Sequence, residues 1–182
     1  MSGTIVSYRQ QIRNAIQAAI QSAATAAGTR VFGPRELPTD PSMLPCVIVS
    51  SPPQERAQSL VKGQPSFETV AYFPVTARVA AQTVESIDAQ LETLIVQIKQ
   101  AVFAYQPLIA LTERAVSVDT STALLSEGQY KIAEANIVFA FEFPEFYSPS
   151  VSAGTPLTQI SGSVTDQASG SPIGSFVVTP TP

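Results

Sequence analysis

Across residues 5–27, Ile12, Ile16, Ala19, Ile20, Ala23 and Ala27 recur at spacings of three and four, while Arg9, Arg13, Asn14, Gln17 and Gln21 fall on other faces. The pattern predicts an amphipathic helix. Ser7 with Gln10 has the spacing of a capping box, Thr4 is an equally good N-cap, and Gly28 supplies the residue that stops the helix. If Ile12, Ile16 and Ile20 are all buried, each contributes roughly 1.5–3 kcal/mol. A second stripe, Ile87, Leu91, Leu94, Ile95, Ile98, Val102 and Phe103, predicts a helix from a Thr83 cap to about residue 105, ended by Pro107. Glu85, Asp88 and Glu92 lie in its first half and Lys99 near its end, an order that suits the helix dipole.

Between and after these helices the pattern shortens to period two. Residues 29–32 and the run Cys46-Val47-Ile48-Val49 predict short strands, separated by a loop in which Pro38 and Pro41 block regular structure. Pro52-Pro53 ends the second strand, and the polar segment 54–64 is the simplest candidate for a long hairpin connection. Residues 67–80 alternate as a longer strand. Pro74, in its middle, argues for a bulge there or for an outer position in the sheet. Two extended segments close the pattern, 108–119 and 129–143, with Glu127-Gly128 in the turn between them. In the second, Ile137, Phe139, Phe141 and Phe143 share one face, opposite Asn136, Val138, Ala140 and Glu142. This order predicts an α+β fold, a mainly antiparallel β-sheet with two amphipathic helices packed on one face, over residues 1–145.

Composition adds an arm. Residues 146–182 contain no Lys or Arg and one acid, Asp166; 22 of the 37 are Ser, Thr, Gly or Pro. A solvated tail carries more charge, and a core is denser in apolar side chains, so the segment reads as an extended arm that orders against something else. Residues 157–164 and 173–178 flank a turn-rich segment and suggest a small hairpin that adds to a sheet edge of another chain. Ile160, Val164, Phe176 and Val178 are its candidate contact residues.

Charged residues make up 13% of the chain, about half the usual quarter, which suggests a surface largely covered in the working state. The formal charge is −4 and the bases are dispersed, which argues against nucleic acid as the principal ligand. Cys46 is the single cysteine, so there is no internal disulfide, and its apolar setting reads as a buried small hydrophobe. No apolar stretch approaches the ~20 residues of a membrane span, and no secretory signal pattern opens the chain. With no histidine, one cysteine and no phosphate-binding glycine motif, no enzyme chemistry, cofactor or metal site is expected. Glu85, Asp88 and Glu92 read as a solvated helix face. Glu55 with Arg56, and Glu113 with Arg114, read as surface or interface charges.

The order of these landmarks resembles the tail terminator proteins of long-tailed bacteriophages, the lambda U-type family. The resemblance runs over residues 8–143: the helix opening Tyr8-Arg9-Gln10-Gln11-Ile12-Arg13, then Arg30-Val31-Phe32, then Leu44-Pro45-Cys46-Val47-Ile48-Val49, a long hairpin, the acid-rich helix and two final strands. It implies a non-enzymatic virion protein, assembled in the host cytoplasm as a homo-oligomeric, hexameric ring. Such a ring caps the tail tube protein and then offers a joining surface to head–tail connector proteins. It also implies that the long hairpin faces the tube or the axis. Arg56 and Lys62 then become candidates for subunit or tube contacts and for a lumen that passes DNA, against an ordinary solvated loop tip. The arm has no counterpart in the family's compact form. Another head–tail connector or tail-completion protein of the neck is the alternative, and a monomeric binding domain or enzyme with an unrecognised site is the reading from a different class.

Overall fold

Ser7 accepts the Gln10 amide on its hydroxyl and so starts α1, Tyr8–Ser22. The computed structural model describes residues 6–35, 40–60, 65–127, 130–147 and 160–178. The chain divides into two compact units, Met1–Tyr147 and Ser148–Pro182. Helix α1 buries Ile12, Ile16 and Ile20 as its stripe requires, but it ends five residues before the expected stop. Ala24 takes a positive φ of 47° just past the Ala23 cap, so an alanine does the work expected of glycine. Gly28, at φ 56°, belongs instead to the turn that follows.

Strands β1, Val31–Phe32, and β2, Cys46–Val49, pair in parallel, with a 3₁₀ turn at Pro41–Met43 between them. The segment expected to be a hairpin connection begins as a strand, β3, Glu55–Ser59. Both β2 and β3 lie antiparallel along the same edge of β4, Ser66–Ala81, as one line broken at residues 50–54 by Pro52-Pro53. Sequence periodicity missed β3 because all five of its residues are exposed and none marks a core.

Strand β4 lies at the centre of the sheet, with neither the bulge nor the outer position that Pro74 suggested. It runs in unbroken register with β6, Tyr130–Phe146, from Ser66 opposite Phe146 to Ala81 opposite Lys131. Pro74 is tolerated because of where its nitrogen points. The Tyr72 amide donates to Gln54 and the Pro74 carbonyl accepts from Ser50, so the missing N–H faces the break between β2 and β3.

Thr83 caps α2, Val84–Ala104, by accepting the Ser86 amide. Its stripe is buried except for Phe103, which stays 43% exposed while its ring meets Phe139 edge-on. Residues 108–109 are not extended as expected. Pro107 sits in the first turn of a short helix, α3, Gln106–Ile109, which buries Leu108. Strand β5 begins only at Arg114 and runs to Glu127, antiparallel to β6. Residue 128 of the expected turn lies outside the described residues.

The result is an α+β domain whose six-stranded sheet, with path β1-β2-β4-β6-β5 and β3 beside β4, is antiparallel apart from β1–β2. Helices α1 and α2 cover one face, over Val47, Val49, Phe73, Val75, Ile137, Phe139 and Phe143, and the Tyr8 ring stacks on Phe143 at 5.3 Å. On the other face, Leu44, Cys46 and Ile132 form a small cluster with Phe32 and Ala80. Burial there pushes the Cys46 thiol above its ordinary range, as an inert core cysteine requires.

Candidate assembly surfaces

Chain alternation sorts the charges near β3. Glu55 stands opposite Ala71 on the helix side and receives Arg9 at 3.3 Å. Arg56 stands opposite Val70 and therefore points to the uncovered face, where no carboxylate lies within ion-pair distance among the described residues. Glu55 and Arg56 thus serve opposite faces. Lys62 lies outside the described residues.

The far edge of the sheet is β5. Its side chains from Arg114 to Leu124 are exposed, apart from half-buried Val118, although α2 comes alongside Thr122, Ala123 and Leu124. Between Ala115 and Glu127 the only charge before the last residue is Asp119, there is no Lys or Pro, and one irregularity falls between Ala115 and Ser117. Sequence reasoning read this strand but not its exposure, which depends on which neighbour the helices cover.

Arg114 opens that strand and pairs with Glu142 rather than with adjacent Glu113. Its Nε and Nη2 donate to the two Glu142 oxygens, both at 2.8 Å. The Arg114 bond holds the Glu142 carboxyl below the usual range, while the neighbouring Glu142 pushes that of Glu68 up. Glu68, Glu113 and Glu142 bring carboxylate oxygens within 4.8 Å of one another, the arrangement a hard divalent cation takes. Arg114, paired with Glu142, already supplies one positive charge beside these three acids.

In the C-terminal unit, β7, Ile160–Thr165, and β8, Pro172–Val178, pair as an antiparallel hairpin, and residues 157–159 of the expected first strand lie outside the described residues. Asp166 organises the turn, accepting the Ala168 amide and the Ser169 hydroxyl, and Gly170 takes φ 69°. The register places Val164, Phe176 and Val178 on one face and Ser175 and Val177 on the other. Phe176 lies across Gly162, where a Cβ would stand 2.6 Å from the ring. Position 160 pairs with Val178, but the Ile160 side chain lies outside the described residues.

In the first unit, Val6, Ser7, Tyr8, Gln11 and residues 144–147 line a groove of about 450 Å³. Phe146 is 68% exposed and Tyr147 55%. The charge of Glu145 raises the Tyr147 phenol above its usual range. No pattern along the chain marks this groove, since residues 6–8 and 144–147 meet only once β6 is paired.

No family model matches the chain, and no curated protein matches it. Among solved structures, a chain described as "Virion of native gene transfer agent (GTA) particle" is similar over 72% of this chain and 97% of its own length, at 13% identity and a TM-score of 0.39. A likeness of that size assigns neither family nor function. No helix among the described residues is long and apolar enough to cross a membrane.

Proposed function

We propose that the chain is a non-enzymatic structural subunit of a phage-type virion that assembles as a ring on the end of a tail tube, stopping tube growth and presenting a joining surface to the head. The observation that carries this reading is the long edge strand β5, which between the irregularity at Ala115/Ser117 and Glu127 carries a single charge, Asp119. Fourteen residues of strand, Arg114–Glu127, lie at the outer edge of the sheet without lysine or proline. Soluble monomers protect such edges with charges, prolines or a covering element, because free N–H and C=O groups recruit another chain. The two ends of the sheet differ, β5 at one and β1 with β3 at the other. A contact joining unlike ends is heterologous and generates a ring when the rotation closes. The resemblance over residues 8–143 to tail terminators supplies the setting, and the low charge of the chain fits surfaces meant to be covered.

In that setting Arg56, in β3 and on the uncovered face, is a subunit or tube contact that also suits a lumen passing DNA. A neck connector or tail-completion protein uses the same edges and is the second reading. Native mass measurement across concentration, with and without purified tail tubes, decides between them. A ring that binds the tube end supports the terminator. A ring that binds only the head connector favours the second reading, and a monomer indifferent to both removes the assembly reading altogether.

A further inference from the structure

We propose that β3 of one copy adds to the outer edge of β5 of the next, with Arg56 opposite Asp119. The proposal rests on the reading of the chain as a ring subunit and names the strands and the ion pair that join its copies. Three antiparallel steps, β3–β4, β4–β6 and β6–β5, leave β3 and β5 running in opposite directions on opposite edges. A copy turned about an axis along the strands keeps its strand direction and its helix face. Its β3 therefore meets β5 antiparallel, with like faces together. Both strands have unused ladder groups. Gln54 and Leu60 bond across to β4, so alternation turns the N–H and C=O of Glu55 and Ala57 outward. The Pro74 carbonyl accepts from Ser50 on the β2 side. The same alternation, carried across β6, turns Asp119 inward and Val118 and Thr120 outward.

Charge selects the register. Arg56 is the one base in β3, and Asp119 is the one charge between Ala115 and Ser126. Asp119 accepts the Ser117 hydroxyl at 3.2 Å and has no base within ion-pair distance among the described residues. Its neighbour Val138 stands opposite Pro74, four residues along β4 from Val70, so Asp119 shares the uncovered face with Arg56. Within one chain β4 and β6 stand between the two, so the pair can form only between copies. Copies set level would place Arg56 beside Arg114, since both lie in the row through Val70 and Glu142, and like charges there repel. They would also bring β1, one strand further out in the rows of Thr76 and Ala77, against Ser121 and Thr122 in mid-strand. A slide of four rows replaces Arg114 by Asp119 and moves β1 to the level of residue 125, near the end of β5. Glu55–Thr120, Ala57–Val118 and Gln58–Ser117 then complete the ladder. Glu55, the other charge in it, is already engaged by Arg9.

The test reverses the two charges in the full chain, Arg56→Asp and Asp119→Arg, singly and together, and reads native mass across concentration. Both positions are exposed, and melting curves check that each variant is folded. The parent is expected to assemble, each single variant to need at least about tenfold more protein, and the double variant to return to the parent's range. A second measurement mixes Gln58→Cys chains with Ser117→Cys chains under oxidised glutathione. Disulfide-linked pairs are expected in the mixture and from neither variant alone. Assembly indifferent to both single reversals overturns this contact and leaves the ring reading standing. So does a double variant no better than the singles together with no disulfide in the mixture. A parent chain that stays monomeric overturns both.

Discussion

Arg114 grips both oxygens of Glu142 from an exposed strand edge, 66% open to solvent, while the Glu142 side chain it holds is 7% exposed. A carboxyl depressed in the folded state adds stability above its unfolded value and loses it as pH falls through the folded value. Arg114→Gln should therefore lower the melting temperature at pH 7, and the difference should shrink as the pH drops below the ordinary carboxylate value of 4.5. Glu68 has the opposite sign. Its raised carboxyl carries a penalty once ionised, so Glu68→Gln should raise the melting temperature at pH 7 and change little in acid. Thermal scans of both variants at pH 4 and 7 check this, and a parallel shift at both pH values would contradict it.

Ala24 holds a left-handed conformation that favours glycine. Ala24→Gly should stabilise the domain by up to about 1 kcal/mol, because relief of the Cβ clash exceeds the added freedom of the unfolded chain. Urea midpoints compare it with Ala23→Gly, one residue earlier at the helix cap, where no such relief is available.

Pro74 faces a break in the neighbouring strand, so the substitution Pro74→Thr should leave stability within about 1 kcal/mol of the parent. Thr76→Pro, two residues on and opposite Ile48, takes an N–H from an intact ladder and should unfold the sheet or cost several times more. Circular dichroism melts of the pair distinguish the two positions. Equal losses would mean that the gap beside Pro74 does not exist.

Strand β5 makes a prediction about assembly rather than folding. Lysines at Thr120 and Thr122, both exposed, should raise the monomer fraction at a given concentration. The melting temperature should change little, as surface substitutions stay within about 0.5 kcal/mol each. An unchanged mass distribution in solution would move the contact away from this edge.

The parts of the fold legible in the sequence were those that bury a periodic face. The stripes through Ile16 and Leu94, and the alternation through Phe139 and Phe143, mark surfaces that meet the core. One element without a buried face, β3, was not legible. Strand β3 looked like a connection because Glu55, Arg56 and Gln58 resemble a loop, and Pro74 looked disruptive because its partner strand was not in view. The candidate surfaces divide in the same way. Val164, Phe176 and Val178 share a face because a hairpin of fixed register put them there, and alternation along each strand announced it. The groove at Phe146 and the acid cluster around Glu142 join residues distant in sequence, and only the pairing of β4, β5 and β6 brings them together.

The sixteen paired positions of β4 and β6 give the domain a direction of strength. A pull along these two strands loads their hydrogen bonds in shear, so many must fail at once. A pull across the sheet at β3 can peel five residues one by one. The domain is therefore a stiff strut lengthwise and a soft flap at one corner. Strands that run along a line of load would let the domain carry force without unfolding.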